Sequence, residues 1–329
     1  MSARLLVAAL RNPRSVDALN PAGWNALIAA AKAERLIGAL AIRLEDVDKP
    51  SAVHPILSDA LSDAAREGQQ ALWEADRAAL ALRPMGIPII LLKGTAYVAA
   101  GLSAGQGRFV GDLDILVPRV AMPDVEAALV AAGWEWVKED AYDDAYYRQW
   151  MHELPPMIHA DRDRMIDVHH TILPLTARPR PDAAALIADA RSIGEGLYLL
   201  SPEDCVVHAA AHMLADGDLQ GGLRNLWDIH CLLPAVDCDR LAGRAALHGL
   251  APHVAQATRL ANALYGTGAR LTLWDRIVVA RLLARDGWGR ERRKLLVFAF
   301  FVRSHGLRMP PVMLARHLWT KWRKGHRPQ

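Results

Sequence analysis

The hydrophobic pattern of the chain changes period twice, and those two changes limit its fold more than any other feature. Over residues 22–44, apolar side chains (Trp24, Leu27, Ile28, Ala31, Leu36, Leu40) recur at helical spacing behind an Asn20-Pro21 helix start, and a second helix is predicted over about 55–82. Gly86-Ile87-Pro88 then breaks the pattern. Ile89-Ile90-Leu91-Leu92 is a short, continuous apolar run of the kind that forms a fully buried strand. A helix over 95–102 and a strand over 112–117 follow, then a helix over 123–132 closed by Gly133 and a strand over 134–137. Two further strands, 157–160 and 165–169, flank the polar turn Asp161-Arg162-Asp163-Arg164. Beyond Asp182 the period is helical again. The sum is an α+β fold with N-terminal helices and a helical C-terminal part. It divides into an N-terminal helical segment over 1–84 packing on the core, an α/β core over 85–180, and a helical C-terminal domain with a basic tail over 181–329.

Composition removes several classes of function. A chain of 329 residues, 52% of them hydrophobic, can bury a sizeable core. No stretch approaches the ~18 uncharged apolar residues of a membrane-spanning helix, and Arg11 and Arg14 interrupt the apolar start before it could serve as a signal-peptide core. Cys205, Cys231 and Cys238 have no CxxC spacing, which argues against a zinc knuckle or disulfide scaffold and for a reducing, cytoplasmic setting. The net charge of +3 is uneven: residues 281–329 hold 13 Lys/Arg against Asp286 and Glu291, a balance of +11, which leaves −8 for residues 1–280. That tail, with Trp319 and Trp322 inside "RHLWTKWRKGHR", suits an anionic partner, although a solvated basic helix is the simpler account.

Within the predicted strand 112–117, Asp112 and Asp114 are one residue apart among apolar neighbours. Alternation puts both on one face, with Leu113 and Ile115 directed into the core. Two carboxylates so placed repel one another, and a divalent cation relieves the cost; Mg²⁺ binds through one or two carboxylates together with substrate phosphates. Asp167, between Ile166 and Val168, adds a third acid if its strand lies beside the first. Solvent-facing strand-edge carboxylates are the plainer reading of a lone D-x-D. Lys93-Gly94-Thr95, at the end of a buried strand and the start of a helix, tilts the balance, because free backbone N–H groups and a glycine suit a phosphate there.

Other groups are weighed against this site. His208 and His212, four apart on a predicted helix, with Asp228 and His230 downstream, suggest a metal-dependent phosphohydrolase, but packing or a place at the rim of the nucleotide cleft accounts for them as well. His169 shares the face of Asp167 and is an acceptor-side or phosphate-side candidate, with a strand-end histidine hydrogen-bonded to backbone as an equal account. Arg224 and Asp228 are acceptor-side candidates too, or an intrahelical ion pair. Gly105, Gly107 and Gly111 precede a strand and not a helix, which fits a flexible connection better than a nucleotide loop. Trp134, Trp136, Trp227, Trp274 and Trp288 are expected in the core.

The stretch "GIPIILLKGTAYVAAGLSAGQGRFVGDLDILV", with Arg108 four residues before Asp112, resembles the signature of the uncharacterised nucleotidyltransferase family within the DNA-polymerase-β-like superfamily. "MIDVHHTI" and "LSPEDCVVHAAAHMLADGDLQGGLRNLWDIHCLL" are similar to that family's acidic strand and helical region, so the resemblance spans roughly residues 20–235. It implies a small mixed β-sheet core, a triphosphate held at Gly94 and Thr95 with Lys93 and Arg108 nearby, Mg²⁺ (or Mn²⁺) on Asp112 and Asp114, and Asp167 as third ligand or base. It further implies transfer of a nucleoside monophosphate from an NTP to an acceptor hydroxyl, with pyrophosphate leaving. Thr95 stands where Ser is more usual, and the stretch from Gly94 to Asp112 is longer than in most of the superfamily. Small-molecule, peptide, protein and RNA acceptors all stay open. A non-catalytic or toxin-antitoxin-type nucleotide- or RNA-binding member of the same fold is the alternative.

Overall fold

A computed structural model describes residues 2–138, 140–309, 314, 315 and 319. Apart from Trp319, the interleaved basic stretch 316–327 that suggested an anionic partner, Trp322 included, lies outside the described residues.

Four helices come first: α1 (Ser2–Arg11), α2 (Pro21–Ala33), α3 (Ile37–Arg43) and α4 (Val53–Leu82). The single helix expected over 22–44 is split, because Arg35 takes a left-handed φ of +53° and turns the chain between α2 and α3. The 30-residue α4 buries a stripe of small residues (Ala60, Ala64, Gly68, Ala71, Ala75, Ala78) and so lies close against the sheet layer. A Cβ at Gly68 would sit 3.5 Å from Val98.

The sheet follows: β1 (Ile89–Leu91), α5 (Lys93–Ala99), β2 (Leu113–Leu116), α6 (Met122–Ala131), β3 (Trp134–Trp136), α7 (Ala141–Trp150), β4 (Met157–His159) and β5 (Met165–His169). The strands stand where the apolar runs placed them. After α8 (Ala183–Ala188), however, β6 (Arg191–Gly194) and β7 (Leu197–Leu199) return to the sheet, which corrects the expectation of helix throughout from Asp182. The seven strands run in the order β3-β4-β5-β2-β1-β7-β6. β1 pairs antiparallel with β2 and parallel with β7, and β2 pairs parallel with β5. The sheet is therefore mixed, and β2, which carries the D-x-D motif's second acid, is an interior strand buried at all four positions.

From Pro202 the chain is helical: α9 (Pro202–Ala210), a π-helical turn over Ala211–Asp216, α10 (Gly222–Leu232), α11 (Cys238–Leu247), α12 (Ala251–Leu264), α13 (Leu273–Leu282) and α14 (Lys294–Arg308). No helix among the described residues is long and apolar enough to cross a membrane. Trp134 and Trp227 are core residues as expected; Trp136, Trp274 and Trp288 are exposed. Trp136 closes the edge strand β3 with its indole N–H donating to Glu126, Trp274 stacks on Phe300 at the molecule's rim, and Trp288 stands in a loop, 79% exposed. The loop expected to be a flexible connection is instead packed backbone to backbone on α3: a Cβ at Gly38 would come within 2.1 Å of the Gly107 carbonyl oxygen.

Candidate active site

The parallel register of β2 and β5 sets Asp114 beside Asp167, and Leu113, Ile115, Ile166 and Val168 fill the buried core behind them. Asp112, one residue before β2, is exposed at the strand's entrance, whereas Asp114 is enclosed at 5% exposure. Asp114 and Asp167 thus adjoin on two neighbouring strands, and Asp112 lies just ahead of the first.

Lys93 closes over Asp114. It opens α5 with a left-handed φ of +48°, a strained conformation for a lysine and one that recurs at functional sites. Its Nζ lies 2.6 Å from Asp114 Oδ1, and His169 Nε2 lies 3.1 Å from the same oxygen. His169 Nδ1 in turn is 3.3 Å from Glu153 Oε2, and His152 Nε2 is 3.8 Å from that oxygen. Residues 152–154 form a short strap along the end of β5: Glu153 bridges His169, the Leu154 N–H donates to the Val168 carbonyl, and the His170 N–H donates to the His152 carbonyl.

Electrostatics divide these groups. Burial works to raise the Asp114 carboxyl, but Lys93 and His169 outweigh it and hold it well below the usual carboxylate range. For Asp167, burial, with Asp114 and Glu153 beside it, outweighs the pull of His169 and Lys93 and pushes its carboxyl up to about 7. Burial lowers Lys93, yet Asp114 more than compensates, so the ammonium is retained. His169, where burial is likewise overcome by Asp114 and Glu153, is raised.

His208 on α9 and His212 on the π turn reach the same cluster. Burial, with Lys93 and His169 close by, drops His208 to about 3, and burial with Lys93 and His208 holds His212 well below its ordinary value. The phosphohydrolase constellation that paired them with Asp228 and His230 is not assembled. Asp228 is taken by Arg108, whose Nη1 lies 2.5 Å from Oδ1, and His230 packs on Trp227 and Tyr265 on the far side of α10. That same ion pair replaces the intrahelical pairing of Asp228 with Arg224.

Around Lys93, Gly94 leaves room for Arg108: a Cβ there would be 2.9 Å from the guanidinium Nε, which is enclosed and makes no hydrogen bond. The Thr95 hydroxyl is also enclosed without a partner. Arg224 faces the entrance from α10, close enough for Asp112 to act on it, and its Nε is buried without a hydrogen bond. Arg35 comes to the same place, within 4 Å of where a Cβ on Gly111 would stand. Arg35, Arg224 and His212 line a cavity of ≈ 580 Å³, which opens between α2 and the start of α10. The sequence pointed to Asp112, Asp114, Asp167, Lys93 and His169; the last four meet here, and Asp112 stands exposed at the entrance, where it acts on Arg224. It gave no weight to His152 and Glu153, whose only signal is a polar pair between Met151 and Leu154.

Residues 20–266 match the family described as uncharacterised nucleotidyltransferase. No curated protein matches the chain.

Proposed function

Because the chain belongs to the uncharacterised nucleotidyltransferase family, we propose that it transfers a nucleoside monophosphate from an NTP to a hydroxyl-bearing acceptor at the β2–β5 acids. The observation that carries this reading is the register that sets Asp114 beside Asp167, with Asp112 at the strand's entrance and Lys93 overhead. Three carboxylates are the hard oxygen donors that Mg²⁺ (or Mn²⁺) takes, and a dication offsets both the burial and the repulsion from Asp114 and Glu153 that push Asp167 up to about 7. Asp112, Asp114 and Asp167 would hold that ion, which when bound neutralises phosphate charge and lowers the barrier to in-line displacement.

The chain's own groups supply the rest. Where Asp167 is not itself held on the ion, its carboxyl, pushed up to about 7, is matched to accept a proton from an acceptor hydroxyl near neutral pH. As that oxygen bonds the α-phosphorus, the bond to the bridging oxygen breaks and pyrophosphate leaves. Lys93, freed from Asp114, follows the phosphates, and Gly94 and Arg108 border the same position. Arg224 and His169 stand on the acceptor side, and Asp228 acts there through Arg108.

The test is incubation with labelled NTPs and Mg²⁺ or Mn²⁺, with mass spectrometry of candidate acceptors and of the chain itself. A nucleotidylated product is expected, and the Asp112→Asn/Asp114→Asn variant should lose both product and Mg²⁺-dependent NTP binding. The Lys93–Asp114 ion pair favours a second reading, in which the lysine permanently takes the cation's place and the chain is a non-catalytic nucleotide- or RNA-binding member of the fold. NTP binding that is unaffected by Mg²⁺ and yields no product selects that reading.

A further inference from the structure

The strap residues His152 and Glu153 have no part in the chemistry above, yet they are held against His169 by backbone bonds on both sides. The His152 and His169 rings lie 5.2 Å apart, and one donor atom from each of His152, Glu153 and His169 falls within 4.8 Å of the other two. His169 presents an enclosed Nδ1 without a hydrogen bond, although it is only 3.3 Å from the Glu153 carboxylate oxygen, and His152 Nε2 is 3.8 Å from that same oxygen.

We propose that His152, Glu153 and His169 form a site for an imidazole-seeking dication, with Zn²⁺ as the type, separate from the three-aspartate site. Donors around tetrahedral Zn²⁺ at ~2.0–2.1 Å stand roughly 3.3 Å apart, and the Glu153 oxygen lies 3.3 Å from His169 Nδ1 and 3.8 Å from His152 Nε2. Two imidazoles and one carboxylate suit Zn²⁺ or a similar transition ion far better than Mg²⁺. The outer contact is in place as well: the far nitrogen of His169, Nε2, faces Asp114 Oδ1 at 3.1 Å, the carboxylate–histidine–metal arrangement that fixes ring orientation. Such an ion would tie the strap to β5 and, through His169, fix the Asp114 carboxylate. The site does not depend on the nucleotidyl-transfer reading.

The full-length chain, stripped by chelator and dialysed against Zn²⁺ and then a large excess of Mg²⁺, should keep one equivalent of zinc by elemental analysis. His152→Ala and Glu153→Gln should each weaken retention by more than the ~10–100-fold typical of losing an outer contact, whereas Asp112→Asn should keep it. Co²⁺ loaded into the wild type should give the visible bands of a low-coordinate, nitrogen-containing site, which reports on the site even where a variant fails to fold. Complete displacement by Mg²⁺, absence of those bands, equal retention by a folded His152→Ala, or loss confined to Asp112→Asn would each overturn the proposal.

Discussion

Asp114 and Asp167 are the same residue type on adjoining strands, and their surroundings drive the two carboxyls in opposite directions. For Asp114 burial is overcome by Lys93 and His169, whereas for Asp167 burial acts together with Asp114 and Glu153. Such a split assigns roles: the group kept charged is suited to bind a cation, and the group poised at about 7 is suited to move a proton. It also fixes a sign. The native state holds a proton on Asp167 that the unfolded chain releases at its ordinary value of ~4. The contribution of Asp167 to stability is therefore present below ~4 and is lost as pH rises through about 7. In metal-free protein, Asp167→Asn should melt a few degrees above the wild type at pH 8 and close to it at pH 4. A difference independent of pH, in thermal melts with chelator present, would place the effect in packing. Turnover, once an acceptor is known, should fall by ~100-fold or more while NTP affinity changes less.

The segment between α5 and β2 shows how an element that reads as a linker can be a fixed part. Gly107 has a φ of +63°, and a Cβ there would come 2.4 Å from the Gly38 carbonyl carbon on α3. Gly107→Ala has to bear both the left-handed conformation and the displaced backbone, so a loss of ~2 kcal/mol or more is expected, read as a melting temperature several degrees lower. Gly243→Ala, inside α11 with nothing within 4 Å, should instead be neutral or slightly stabilising. Sequence could not reveal the first contact because Gly38 and Gly107 are far apart in the chain. The same limit explains what else was and was not legible. The strands β1, β2 and β5 are short apolar runs, and alternation put Asp112 and Asp114 on one face, but only the pairing of β2 with β5 brings Asp167 beside Asp114. β6 was hidden because all four of its residues are exposed and Ile193 is its single apolar side chain, too few for a strand pattern. Arg224 seemed the natural partner of Asp228 at helical spacing, yet Arg108 arrives from 120 residues away and takes it. His152 and Glu153 gain their meaning only from the strap's pairing with His169, which no local pattern encodes.

At the scale of the whole molecule, the sheet and the C-terminal helices meet over imidazoles. His152 from the strap and His208 and His212 from α9 and its π turn are held neutral chiefly by burial. Their folded values lie below the ordinary ~6.5, so the stability they contribute is present above that pH and is lost as pH falls, by at most ~1.4 kcal/mol per pH unit for each. Asp167 opposes them in part between ~4 and neutrality, but three groups outweigh one. The melting temperature should drop by several degrees from pH 6.5 to 4.5, and less so in His208→Gln, where no imidazole can take up the proton on unfolding. The meeting of the two parts also bears on acceptor choice. A transferase sheet needs a second surface that holds the acceptor in line with the α-phosphate, and the surface proposed for it, α10, has two charged side chains that differ in their commitments. Asp228 is the buried partner of Arg108, so its removal strands a guanidinium and costs stability before it informs on substrate. Arg224, by contrast, has an unpartnered buried Nε and lines the cavity that also holds Arg35 and His212. Arg224→Ala should therefore raise the acceptor KM by roughly tenfold, the effect of one lost charge-assisted hydrogen bond of about 1.5 kcal/mol, while NTP affinity stays within about twofold. An equal loss of NTP binding would instead make this cavity part of the nucleotide site, and the helical wall would then serve the donor and not the acceptor.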